Sequence, residues 1–126
     1  MEYKMKDHGF SIDLEYGTLD ICGDETYGFR PYQLLVSSVA VCSGGVLRQI
    51  LDKKRMVYED ISIKADIKRN EEEANRVEEI HLHFTIKGNL DEKKVQKAME
   101  LTTKHCSMVQ SVKDSIKVEE TFEIIA

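Results

Sequence analysis

The sequence predicts an α+β protein, and three observations predict it. A long apolar segment opens at the only proline, Pro31, and runs to about Lys53. Two runs of strict apolar–polar alternation, residues 61–67 and 80–86, have the period of paired strands with one buried face. A second helical stripe follows at Val95, Met99, Thr102, Cys106 and Val109. The order is a β-rich segment, a helix, a hairpin, a helix and a strand, which reads as two helices packed on antiparallel sheet.

At the N-terminus Phe10, Ile12 and Leu14 alternate with Ser11, Asp13 and Glu15, bracketed by Gly9 and Gly17. Tyr3 with Met5, and Leu19 with Ile21, fit flanking strands, so a three-stranded meander is expected. Pro31 then suits the first turn of a helix, where its missing N–H costs nothing. From Leu34 to Leu51 the apolar residues spread around the helical circumference, which predicts a helix buried on most sides. The basic run at 52–56, DKKRM, complements the negative end of that helix.

In the hairpin, Ile61, Ile63, Ala65 and Ile67 face one way and Ser62, Lys64, Asp66 and Lys68 the other. Ile80, Leu82, Phe84 and Ile86 alternate in the same manner with His81, His83, Thr85 and Lys87, and NEEEANR supplies a charged turn between the two. Asp91 is placed to cap the second helix, with Leu90 and Val95 as a hydrophobic staple. Ile116, Val118, Phe122 and Ile124 make a closing strand.

The 126 residues suit a single domain, 1–126, with one core. A net charge of −5 disfavours the phosphate neutralisation that nucleic-acid binding depends on, so nucleic acid is not an expected partner. The start, MEYKMKDHGF, is charged from its second residue, and no run is read as reaching the ~20 apolar residues of a membrane span. No membrane is expected, and the cytoplasm is the expected location.

Three cysteines, Cys22, Cys42 and Cys106, are an odd number without a CxxC, which argues against a disulfide scaffold and a zinc finger. Cys42 and Cys106 fall on the inward faces of the two helices. Cys42 is followed closely by Gly44 and Gly45, each of which costs a helix roughly 1 kcal/mol relative to alanine. Packed helix axes lie about 8–10 Å apart, while a disulfide needs Cα atoms roughly 4.4–6.8 Å apart. The glycines are therefore expected to make room at Cys42 for a second thiol or a substrate. On the residues alone, the two cysteines are either a functional pair or two core thiols packing as small hydrophobes. Cys22, in DICGDET, has no assigned role. His81 and His83 form an HxH on one strand face without a third ligand in sequence, so solvent-facing histidines are expected and no metal. His105 adjoins Cys106, but consecutive helical residues diverge by about 100°. No cofactor fingerprint is present.

RPYQLLVSSVAVCSGG resembles the first signature of the OsmC/Ohr family (osmotically inducible protein and organic hydroperoxide resistance protein), which carries P-x-x-L-L…C on a long central helix. LDEKKVQKAMELTTKHCSMVQSV is similar to that family's second cysteine helix, and the resemblance covers nearly the whole chain. It implies an intertwined homodimer with the central helices in the middle and active sites at the subunit interface. It also implies a thiol-dependent peroxidase in which Cys42 is the peroxidatic and Cys106 the resolving cysteine. The substrate would be a small organic hydroperoxide, favoured by an apolar lining of Leu35, Val39, Val46, Met99 and Val109. The reductant would be a cellular dithiol, lipoyl or thioredoxin-like. The family's peroxidases stabilise the thiolate with an arginine from the N-terminal strands, held by a glutamate near the start of the central helix. Here no arginine precedes Arg30, which becomes the candidate stabiliser, and the glutamate position falls on Tyr32 or Gln33. Ser107 follows Cys106 where the family usually has proline. The alternative function is a protein of the same fold that binds a small apolar or electrophilic ligand without chemistry.

Overall fold

A computed structural model describes residues 1–126. Its elements are β1 (Lys4–Met5), β2 (Phe10–Asp13), β3 (Thr18–Ile21), α1 (Pro31–Lys53), β4 (Asp60–Asn70), β5 (Arg76–Lys87), α2 (Glu92–His105), α3 (Ser107–Val112) and β6 (Lys117–Ile125). The α+β class holds. Two compact units divide the chain, Met1–Ser37 and Ser38–Ala126, with the boundary inside α1.

The first unit contains the expected meander, antiparallel in the order β1-β2-β3. Gly9 has a φ of +76°, and a Cβ there would collide with the Ile21 carbonyl, so the β1–β2 turn requires glycine. Lys6 closes the same turn onto β3 through Asp20, at 2.8 Å. The Arg30 carbonyl accepts from the Gln33 amide at 3.0 Å, so Arg30 stands at the entrance of α1 and Pro31 occupies the first helical position.

In the second unit β5 is the central strand of a three-stranded sheet ordered β4-β5-β6. Ile80, Leu82, Phe84 and Ile86 are buried, while His81, His83 and Thr85 take the opposite face, as the alternation predicts. β4 and β5 form the expected antiparallel hairpin, with Ile63 opposite Phe84. The sheet is not wholly antiparallel. β6 lies parallel to β5, with Leu82 opposite Glu120. α2 and α3 carry the chain back before β6 begins, and a helical crossover of this length permits the parallel pairing that a tight turn forbids.

Two helix expectations need correcting. The buried positions of α1 are Val36, Val39, Ser43, Gly44, Leu47 and Leu51, a single stripe. Val41 is 70% exposed, so within one chain α1 is not buried on most sides. It is also, contrary to expectation, long and apolar enough by length and composition to cross a membrane, a measure that the core helix of a soluble protein also meets. The second helix starts as expected, with the Asp91 side chain accepting from the Lys94 amide at 3.1 Å. It does not continue through Cys106. That residue is extended (φ −78°, ψ 109°) and separates α2 from α3.

Candidate functional site

Cys106 sits in the break between two helices and is fully buried; Cys42 is half-buried, midway along α1. The break turns the start of α3 toward Cys42. Ser107 Oγ comes within 3.6 Å of Cys42 Sγ, and the Met108 amide hydrogen-bonds the same sulfur. The two thiols themselves are within hydrogen-bonding reach. Residues 65 positions apart thus meet at one sulfur.

The two thiols are shifted in opposite directions. The Met108 amide, followed by the Ser107 hydroxyl, the Cys106 thiol and the Ser107 amide, draws Cys42 below the ordinary thiol range, and partial burial opposes this without reversing it. Burial pushes Cys106 up; the Val109 amide opposes this, and the neighbouring Cys42 adds to the rise, with the Met108 amide a smaller opposing influence. Cys42 is therefore the sulfur that ionises, and it is the one that solvent reaches. The groups that favour its thiolate are amides, a hydroxyl and a thiol, all neutral. Arg30 stands before α1 with its guanidinium carbon 4.9 Å from the centre of the Tyr32 ring.

Gly44 has a different use from the one expected. A Cβ on Gly44 would lie 2.7 Å from Ile63 Cδ1, so Gly44 makes room for a β4 side chain and not for a thiol. Gly45 has nothing within 4 Å of where its Cβ would stand. The expected lining is also revised. Val39, Met99 and Val109 are core residues with 5% exposure or less. A groove of about 320 Å³ is lined instead by Val46, Ile50 and Leu101, with Lys53, Lys54 and His105. Val46 is one turn beyond Cys42 and His105 directly precedes Cys106 in the chain, but neither sulfur is among the residues that line the groove.

Sequence reasoning passed over Glu120. Its neighbours at two-residue spacing, Val118 and Phe122, are apolar, and Glu120 shares their half-buried face. Ser43 Oγ, fully buried, lies 3.1 Å from each of its carboxylate oxygens. Burial raises the Glu120 pKa, and the serine hydrogen bond only partly offsets it. The signal was a carboxylate on the apolar phase of the closing strand.

His81 and His83 lie on the polar face of the sheet. His81 Nε2 is 2.8 Å and His83 Nδ1 2.7 Å from Thr121 Oγ1, and His83 Nε2 is 3.4 Å from a Glu123 oxygen. No group of three or more His, Cys, Asp or Glu side chains is arranged to hold a metal ion. Cys22 is half-buried at the end of β3, beside a hollow of about 430 Å³ lined by Tyr3, Phe10, Ile21 and Pro31.

A sequence profile of the family described as OsmC-like protein matches residues 23–121. No curated protein matches the chain. Among solved structures, a hypothetical protein from Aquifex aeolicus VF5 is similar at 29% identity, with a TM-score of 0.88 over 98% of this chain and 93% of that one. An OsmC-like protein from Mycoplasma pneumoniae has a TM-score of 0.84 at 14% identity, covering 100% and 99% of the two chains. The organic hydroperoxide resistance protein OhrB of Bacillus subtilis has a TM-score of 0.69 at 16% identity, covering 98% of each. At these last two identities the likeness is one of fold.

Proposed function

Because the chain belongs to the OsmC-like protein family, we propose that it is a thiol-dependent peroxidase that reduces organic hydroperoxides through Cys42 and Cys106. The observation that carries this reading is the pairing of an acidified, accessible thiol with a buried thiol of raised pKa. A redox couple needs this asymmetry: one sulfur ready to attack, the other protected until an intermediate forms.

The Cys42 thiolate attacks the outer oxygen of the hydroperoxide and the O–O bond breaks. The alkoxide leaves, takes a proton and becomes the alcohol, while Cys42 becomes a sulfenic acid. The Cys106 sulfur then displaces the sulfenic oxygen, which leaves as water with the thiol proton, and a disulfide joins the pair. A dithiol, lipoyl or thioredoxin-like, reduces that disulfide and is itself oxidised. This cycle suits a reducing compartment such as the cytoplasm. The apolar walls of the groove at Val46, Ile50 and Leu101 favour an organic peroxide over hydrogen peroxide. The working form is a homodimer, supported by the apolar residues that α1 leaves uncovered, Val41 foremost.

Thiol titration tests the reaction. In a Cys22→Ser background, one equivalent of cumene hydroperoxide is expected to consume two thiols per chain, and none once Cys42 is also replaced by serine. Undiminished thiols in the parent would reject the peroxidase and leave a ligand-binding protein of this fold. Equal turnover of hydrogen peroxide and cumene hydroperoxide would reject the substrate preference.

A further inference from the structure

We propose that Ser107 is the side chain that tunes Cys42, its hydroxyl donating to the sulfur so that the thiolate is favoured and held in one rotamer. Three features of the site lead there. The hydroxyl lies 3.6 Å from Cys42 Sγ, a normal separation for a hydrogen bond to sulfur. Ser107 is the first residue after the break at Cys106, so the extended backbone that separates α2 from α3 also brings its side chain across to α1. The groups that lower Cys42 are otherwise backbone amides and the partner thiol, which leaves Ser107 as the one dedicated side-chain donor outside the redox couple.

The direction of the hydrogen bond follows from the charge. A thiolate can only accept, so ionisation of Cys42 commits the serine proton to the sulfur. With a neutral thiol either atom can donate and the contact is weaker. The difference between the two states is what moves an ionisation equilibrium. Because both partners are reached by solvent, the effect is smaller than for a buried bond to a charge.

The inference deepens the proposed reaction, since the sulfur concerned is the attacking one, but its test uses no peroxide. In a Cys22→Ser, Cys106→Ser background Cys42 is the sole thiol, and its alkylation by iodoacetamide is followed against pH. Ser107→Ala is expected to move the midpoint upward and to slow alkylation about two- to fivefold at a pH below it. Ser107→Thr, which keeps a hydroxyl, is expected to retain the parent profile. Superimposable parent and alanine profiles would overturn the proposal, as would equal shifts in the alanine and threonine variants, which would show an effect of packing and not of the hydroxyl. Undiminished thiols in the separate cumene hydroperoxide titration, with the alkylation shift intact, would reject the peroxidase alone.

Discussion

Residue by residue, the site depends on which groups are kept from water. Cys42 and Cys106 are chemically identical, and only their surroundings separate an acidified thiol from one held neutral. Alkylation should therefore discriminate between them. With Cys22 and Cys106 replaced, Cys42 should lose reactivity only as pH falls through a midpoint below that of free cysteine. With Cys22 and Cys42 replaced, Cys106 should react slowly and only at higher pH; matching profiles would contradict the asymmetry. Glu120 yields a stability prediction. Its folded pKa is raised, so the folded state disfavours the ionised form. The associated stability is present below the unfolded value and is lost as pH rises through the folded one. Glu120→Gln keeps an acceptor for Ser43 and removes the charge. It should raise Tm by a few degrees at pH 7, an advantage that vanishes at about pH 4. An advantage equal at both pH values would show that burial of the charge is not its source.

Gly44 shows how elements limit one another. On an isolated α1 it costs roughly 1 kcal/mol against alanine. In the fold its missing Cβ is where Ile63 of β4 inserts, and overpacking such a position costs about 1–3 kcal/mol. Gly44→Ala should therefore be neutral to destabilising alone. Ile63→Val removes the interfering Cδ1, at its own cost of about 0.5–1.5 kcal/mol. Combined, the pair should be more stable than the sum of the singles by about 1 kcal/mol or more in a denaturant double-mutant cycle. Strict additivity would mean that the two side chains do not compete. The break at Cys106 is the other event at this level. Helical spacing placed Cys106 inward, which is correct, but spacing carries no sign that the helix stops there. The stop frees the Ser107 and Met108 amides and aims them at Cys42.

For the whole molecule, the uncovered side of α1 is the surface on which a homodimer would form. Val41 is 70% exposed on an apolar helix, and covering such a side chain contributes about 1.5–3 kcal/mol per copy. If a second copy covers it, the parent should sediment at twice the chain mass and Val41→Asp at the chain mass. A parent already monomeric would reject the homodimer. The sequence by itself determined the α+β class, the span of α1, the hairpin, the Asp91 cap and the inward side of Cys106, because each follows from local periodicity or from a residue's own conformational preference; the candidacy of Cys42 and Cys106 as a pair rested on resemblance to a family signature. Tertiary structure alone decided the parallel pairing of β6, the true occupant of the space beside Gly44, the inward carboxylate of Glu120 and the approach of Ser107 to Cys42. Those depend on distant segments meeting, and the free energy of such a meeting is written in no single stretch of chain.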